Sequence, residues 1–328
     1  MVVPPRIDAL PRFQLLDGPS PLTRLDRFGA ALGGTAEVWI KREDLLPLAF
    51  GGNKLRNLEF LVGAALAEGA DTLITSGRRW SNHCRLTAAA GARAGLAVHL
   101  VLSGPPRPTG QEGPNQVLDH LLGATVHVTS SDARAERAAT VDRVATDLRV
   151  AGRRPFVIDV GGGGAVGAAG QVLAGLEVAD QLAAVGVGAA AIVVPTATGG
   201  TQAGLLTGLA LASPPAHGVV GVAAASPAAE LGPAVDRLLD SLAPLSGVRP
   251  PSAAIVIDDD QIGEGYGRPS AAADDATGLL ARTEGILVDP IYTAKALAGL
   301  IARVRDGRLH GPVVFWHAGG TPGLFEPL

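Results

Sequence analysis

Short β-branched runs alternate with Ala/Leu-rich stretches of helical period along most of this chain, and that alternation restricts its fold more than any other feature. Glu37-Val-Trp-Ile-Lys41, Thr72-Leu-Ile-Thr75, Ala97-Val-His-Leu-Val-Leu102, Thr125-Val-His-Val128 and Pro155-Phe-Val-Ile-Asp159 read as strands. Between them Leu55–Glu68, Cys84–Ala94, Asn115–Leu122 and Ala133–Leu148 read as helices. Strands that alternate with helices of this length form βαβ units, whose crossovers make the strands parallel. The expected class is therefore α/β with open, twisted parallel sheets. A glycine cluster, Gly161 to Gly164, then precedes a helix over Ala165–Ala184, a buried strand over Ala190–Val194, a Thr/Gly loop and a helix from Gln202, where a second α/β unit begins. The Pro-rich stretch Ser103–Pro114 and the segment Ser246–Ser252 read as surface connections.

Composition narrows the partners. Apolar residues make up 47% of 328 residues, enough for one large or two modest cores. A net charge of −4 and scattered arginines give no general attraction to nucleic acid or anionic lipid. The first residues lack a basic region followed by an apolar stretch, and the longest apolar run, around Ala189–Val194, is too short to span a bilayer. Neither export nor membrane insertion is expected. A single cysteine, Cys84, cannot form an internal disulfide, which fits a cytoplasmic location. The 44 glycines read as loop residues of a compact fold, and no repeat is visible.

Three stretches carry candidate chemistry. The chain has three lysines, Lys41, Lys54 and Lys295, so each can be weighed separately. Lys54 lies in Phe50-Gly-Gly-Asn-Lys-Leu-Arg56, a glycine loop leading into a helix, where an amine can be desolvated beside a ligand and made nucleophilic. For an arbitrary Gly-Asn-Lys, a solvated lysine at a helix start is the commoner outcome. Thr196-Ala-Thr-Gly-Gly-Thr201 follows an apolar strand and precedes a helix, where bare N–H groups and hydroxyls can surround a phosphate; a plain strand-to-helix turn is the competing reading. Gly161 to Gly164 lacks the dinucleotide spacing, and no P-loop sequence occurs. Ser76-Gly-Arg-Arg-Trp80-Ser81-Asn82-His83-Cys84 offers a further helix start for an anion such as a substrate carboxylate, with Ser81 or Asn82 also suited to capping. His83 and Cys84 are adjacent, so on a helix they diverge by about 100° and make a poor dyad or metal pair. No metal site is expected.

In this order, the three stretches resemble pyridoxal-phosphate (PLP) enzymes of the tryptophan synthase β-like fold (fold type II), specifically the 1-aminocyclopropane-1-carboxylate deaminase and D-cysteine desulfhydrase family. The resemblance covers nearly the whole chain. It includes Ile40-Lys-Arg-Glu-Asp-Leu-Leu46, Ala49-Phe-Gly-Gly-Asn-Lys54, Ser81-Asn-His-Cys-Arg85, Thr198-Gly-Gly-Thr-Gln-Ala-Gly204, Gly265-Tyr266-Gly267, Glu284 through Thr293 and His317-Ala-Gly-Gly320. It implies a large PLP-binding domain from residues 1–56 and 158–328, a small α/β domain from 57–157, a homodimer and a small amino-acid substrate. By position, Lys54 resembles the Schiff-base lysine, Asn82 the partner of the cofactor's phenolic oxygen, and Thr198, Gly199, Gly200 and Thr201 the phosphate cup. Ser81 resembles the hydroxyl facing the substrate. The two tyrosines of the chain, Tyr266 and Tyr292, resemble the pair that flanks it, one able to move a proton. Trp80 and His83, with Ser81 and Asn82, fall in the substrate-binding stretch.

Three departures bear on specificity. Thr293 stands where the cyclopropane deaminases have a glutamate near the pyridine nitrogen, Ala318 where desulfhydrases often have a second threonine, and Trp80 where glutamine is common. The expectation is an unprotonated pyridine nitrogen without an acidic partner. Substrates with a β-leaving group should then outpace those that rely on a stabilised carbanion. The implied activity is α,β-elimination of the D-cysteine desulfhydrase kind, giving a keto acid and ammonia. Cyclopropane ring opening, a biosynthetic β-replacement, and a PLP-binding protein without turnover are the alternatives.

Overall fold

The structure, a computed structural model, describes residues 2–34, 36–104, 111–188, 190–212 and 217–327. Residues 105–110, half of the connection expected over Ser103–Pro114, lie outside that set. The strands form two separate sheets. The larger takes β1 (Leu22–Arg24), β2 (Ala36–Arg42), β7 (Ala191–Thr196), β8 (Gly218–Ala223), β9 (Val256–Asp258) and β10 (Gly311–His317) in the spatial order β1-β2-β10-β7-β8-β9. The smaller takes β3 (Thr72–Arg78), β4 (Ala97–Ser103), β5 (Thr125–Val128) and β6 (Pro155–Val157) in the order β5-β4-β3-β6. Every pairing is parallel except β1 with β2.

The helices in the first half are α1 (Pro5–Asp8), α2 (Asp26–Ala31), α3 (Lys54–Ala67), α4 (Asn82–Ala94), α5 (Pro114–Leu121) and α6 (Arg134–Val150). Then follow α7 (Gly164–Ala184), α8 (Gly200–Leu211), α9 (Ala228–Ser246), α10 (Ala271–Glu284) and α11 (Thr293–Arg305). Parallel sheets must be covered on both faces, and the period of two sorts the larger sheet's side chains accordingly. Ile192, Val194, Val314 and Trp316 join a core with α7 and α8, whereas Val193, Val313 and Phe315 face α10 and α11. In the smaller sheet Leu73, Leu100 and Leu102 pack with α3 and α4, and Ile74 and Val101 with α6.

Element boundaries shift where backbone chemistry intervenes. α4 starts at Asn82 rather than Cys84, because the Ser81 hydroxyl accepts from the Cys84 N–H at 3.2 Å and caps the helix. α8 starts at Gly200 rather than Gln202, because Gly199 adopts φ +83, a left-handed conformation glycine takes without strain. Glycine also has a use that the loop reading missed. A Cβ on Gly175 of α7 would lie 2.9 Å from the Leu205 carbonyl, and one on Gly208 of α8 would lie 2.9 Å from the Gly175 Cα. Bare backbones thus let α7 and α8 touch, and that contact helps set the position of the α8 N-terminus.

Candidate active site

The carboxyl ends of β3 and β7 open on one cavity of about 860 Å³, where open α/β sheets bind ligands. Lys54, the first residue of α3, lies on its wall. The three lysines meet different fates. Lys41 donates to the Ser20 carbonyl (2.7 Å), Gln181 (2.6 Å) and Glu177, and Arg56 holds Glu177 and Glu43 in the same buried network. Lys295 donates to the carbonyls of Ile262 (2.6 Å) and Gly265 (3.0 Å), tying down the loop that carries Tyr266. Lys54 alone of the three lines the cavity, and no described residue pairs with its amine. Burial without a compensating carboxylate lowers its pKa to about 8.

The loop before Lys54 is strained. Leu48, Ala49 and Phe50 all have positive φ (72°, 44° and 65°), which costs side-chain-bearing residues on the order of 1 kcal/mol each. Behind it, the Asn53 amide N–H donates to the Ala318 carbonyl (2.9 Å), and its side chain donates to the Thr201 hydroxyl (2.9 Å). The Lys54 loop is thereby tied to the start of α8. Thr198, Gly199 and Thr201 line the cavity; Gly200 lies in the first turn of α8 without lining it. No side chain caps α8, so its leading N–H groups remain available to an anion. Because Thr201 accepts from Asn53, its own proton is free for the cavity.

Ser81, Asn82 and His83 line the opposite wall. The Asn115 side chain donates to the Asn82 carbonyl oxygen (3.2 Å), which orients the Asn82 NH₂ as a free donor. The Ser81 oxygen accepts the capping bond, so its hydroxyl proton is likewise uncommitted. Thr75 donates to the Ile158 carbonyl (2.8 Å) and must therefore accept from His83 Nε2 (3.0 Å), leaving Nδ1 as a buried acceptor without a partner. Burial, then Lys54, lowers the His83 pKa to about 3, so it is neutral. Cys84 faces the core, its thiol pushed up to about 12 by burial, and takes no part.

Tyr266 and Tyr292 reach the cavity from two separate loops, and their hydroxyls share a hydrogen bond with the ring centroids 5.8 Å apart. Burial raises both pKa values, and the neighbouring Tyr266 raises that of Tyr292 further. Trp80 does not line the cavity. It packs behind Tyr266 with centroids 6.0 Å apart, and a Cβ on Gly267 would lie 2.7 Å from its indole.

Thr293 lines the cavity and donates to the Asp289 carboxylate at 2.5 Å. Asp289 also accepts from the N–H groups of Ile291, Tyr292 and Thr293, and its pKa is raised by burial. An acid therefore stands directly behind the neutral Thr293. Asp289 was legible as an N-terminal cap preceding α11, and Asn53 as the neighbour of Lys54; Asn115 carried no local signal. Among the described residues no cluster of His, Cys, Asp or Glu could hold a metal ion, and no helix is long and apolar enough to cross a membrane.

A cavity outside the carboxyl ends of parallel strands, with an uncapped helix N-terminus facing an unpaired lysine, belongs to an α/β enzyme built around a phosphorylated cofactor. Residues 13–319 match the family described as pyridoxal-phosphate dependent enzymes, and the chain belongs to that family. D-cysteine desulfhydrases of Salmonella choleraesuis (strain SC-B67) and Salmonella paratyphi C (strain RKS4594) are each 42% identical over 320 residues, covering 96% of this chain and 95% of theirs. A solved ACC deaminase homologue is 34% identical with a TM-score of 0.88, covering 98% of this chain and 96% of its own. Maize serine racemase, at 17% identity and a TM-score of 0.64 over 92% of this chain and 88% of its own, shares the fold. The chain is thus a fold type II enzyme that uses PLP. The free Lys54 amine, the uncapped α8 terminus and the unpartnered His83 Nδ1 fit such a group.

Proposed function

We propose that this protein is a lyase that eliminates a β-substituent from a small amino acid, as the name of its D-cysteine desulfhydrase relatives suggests, releasing a keto acid and ammonia. The observation that carries the reading is the contrast among lysines: two are tied by hydrogen bonds, and the third is a bare, desolvated amine in the cavity. Lys54 is the residue to hold the cofactor covalently. Thr198, Gly199, Gly200 and Thr201 would hold its phosphate, and Asn82 its phenolic oxygen. Bound there, PLP supplies an electron sink that eases loss of the α-proton.

Lys54, with a pKa near ambient pH, is suited to take that proton once freed by the incoming amino acid. Ser81 presents a hydroxyl proton to the substrate carboxylate at the start of α4. The Tyr266–Tyr292 pair, whose hydroxyls share one hydrogen bond, can deliver a proton to the departing group. His83 stays neutral and offers only an acceptor. Trp80 acts on the substrate through Tyr266 and not by contact. Ring opening of 1-aminocyclopropane-1-carboxylate is the second reading, favoured by the likeness to the ACC deaminase homologue.

The division into a large unit (1–56 and 158–328) and a small one (57–157) is part of this reading, supported by the two separate sheets. So is a homodimer, supported by the exposed Leu45, which ends a 3-10 turn, and the exposed Phe50 on the strained loop. A cytoplasmic location fits the lone buried thiol. Pyruvate release from D-cysteine and β-chloroalanine, and 2-oxobutanoate release from the cyclopropane, decide between the activities. Wild type should favour pyruvate, and Tyr292→Phe should lower its rate by about 10²-fold or more. Faster 2-oxobutanoate release would replace the first reading by the second.

A further inference from the structure

A phosphorylated cofactor and a three-carbon amino acid do not account for a cavity of about 860 Å³, near the upper end of the range for drug-sized ligands. Part of the remaining space lies against the smaller sheet and α6, and its walls there are basic. Arg78 ends β3, and Arg134 and Arg137 stand one turn apart in the first turn of α6; all three line the cavity. One carboxylate, Asp132, lines this part, and it pairs with Arg78. Arg137 is 8% exposed, and its one hydrogen bond among the described residues, at 2.8 Å, goes to the neutral Ser103 hydroxyl. Arg134 has no carboxylate partner among the described residues. The facing wall, α9, contributes one charge of each sign, Glu230 and Arg237.

This arrangement has a cost that folding does not repay. The first turn of a helix favours acidic residues; α6 has one there, Glu136, turned to Ser130 and Ser131, while Arg134 and Arg137 oppose the helix dipole. Arg137 is also largely removed from water, and burial followed by Arg78 lowers its pKa, so its charge is held beside another of the same sign. An anion between the arginines would relieve both effects. The place suits a substrate side chain, since the Arg78 guanidinium lies 6.0 Å from the Tyr266 ring centroid and 5.8 Å from that of Trp80. The basic cluster therefore adjoins the tyrosine pair proposed to meet the departing group.

We propose that Arg78, Arg134 and Arg137 form a subsite for a tetrahedral oxyanion at the β-carbon, so that the preferred substrates are alanines bearing a β-sulfonate or β-phosphate group. The inference rests on the elimination reading. The α-proton is lost, the Cβ–S or Cβ–O bond breaks, and the electron pair leaves with sulfite or phosphate. The aminoacrylate released then takes up water to give pyruvate and ammonium. The sum is amino acid plus water to pyruvate, ammonium and sulfite or phosphate, with no external oxidant or reductant.

Two measurements on the purified holoenzyme test this. In the first, kcat/KM for 3-sulfoalanine and O-phosphoserine, each as D and L forms, is divided by that for β-chloroalanine. The ratio should exceed about ten for one of the anions, and Arg134→Gln or Arg137→Gln should lower it about tenfold, the size of one charge-assisted hydrogen bond. Which anion leads distinguishes sulfonate from phosphate. In the second, 3-sulfopropanoate, which has no amino group to react with the cofactor, is titrated calorimetrically against pentanoate. Wild type should bind the sulfonate at least tenfold more tightly, and the exposed Arg134→Gln should erode that margin without disturbing the core. Elimination from β-chloroalanine with no anion preference overturns the subsite and leaves the lyase reading standing. Arginine-dependent binding of 3-sulfopropanoate without elimination from any substrate overturns the lyase reading and leaves the subsite.

Discussion

Lys41 and Lys54 lie 13 positions apart and both are enclosed by protein, yet one is answered and the other is not. Around Lys41, Ser20, Gln181 and Glu177 receive its protons, while Arg56 joins Glu177 to Glu43. Around Lys54 no described side chain or carbonyl receives anything, and its pKa falls to about 8. A buried charge with partners fastens a β-strand to helices. A buried amine without them keeps its lone pair within reach of ordinary pH, the condition for covalent chemistry. The cost of leaving it bare is borne by the well-paired network and the cores around it.

The sharpest way to break this comparison is to remove each lysine in turn. Lys41→Ala should leave Glu177 and Arg56 mismatched in a dry site and cost about 3–5 kcal/mol, seen as a large fall in Tm. Lys54→Ala should hold or raise the Tm of the cofactor-free protein while lowering pyruvate formation by at least about 10²–10⁴-fold. A stable, inactive Lys41→Ala protein beside an active Lys54→Ala protein would reverse the roles.

A smaller effect follows from pH. The unfolded Lys54 titrates at 10.5 and the folded one at about 8, so between these values the unfolded chain binds more protons. Stability of the cofactor-free protein should therefore rise with pH from about 8 to 10.5. Lys54→Met should remove that part of the rise and be the more stable protein at pH 7. Equal slopes for the two proteins in denaturant titrations at pH 7, 8.5 and 10 would show that Lys54 is already solvated.

A second pH effect concerns Asp119 on α5, another unanswered charge, outside the cavity. Both of its oxygens are buried without a hydrogen bond, and burial raises its pKa to about 8 from an ordinary 3.8, partly countered by Arg85. Here the folded protein binds the extra proton, so wild-type stability should fall as pH rises from about 4 to 8. Asp119→Asn, which resembles the protonated acid, should lack that fall and melt a few degrees higher at pH 8 and at nearly the same temperature at pH 4. An identical pH dependence of Tm in both proteins would mean that Asp119 is ionised and hydrated.

Much of this architecture was legible along the chain. Val38, Ile40, Ile192 and Val194 sit in runs whose branched side chains suit strands, and Leu55, Leu58 and Val62 repeat at helical spacing, so strands, helices and their parallel arrangement follow from local geometry. The Lys54, Ser81–His83 and Thr198–Thr201 stretches each fall where a strand gives way to a helix, which marks them as ligand loops before any contact is known. Trp80 shows the limit of that reading. Its place beside Ser81 suggests substrate contact, but adjacent residues in a turn point different ways, and the space left by Gly267 draws the indole behind Tyr266. Asp289 is similar: as a helix cap it is local, but as an acid behind Thr293 it belongs to the cavity.

The sequence by itself determined the order of strands and helices, the loops that carry chemistry and the small number of lysines and tyrosines able to perform it. Those properties depend on neighbours within a turn or two of chain. Only the tertiary structure decided that Lys41 and Lys295 are spent on hydrogen bonds, that Tyr266 and Tyr292 meet, and that Arg78 converges with Arg134 and Arg137. Pairing, burial and like-charge repulsion are set by groups brought together from distant parts of the chain, and those meetings fix which lysine is free to react.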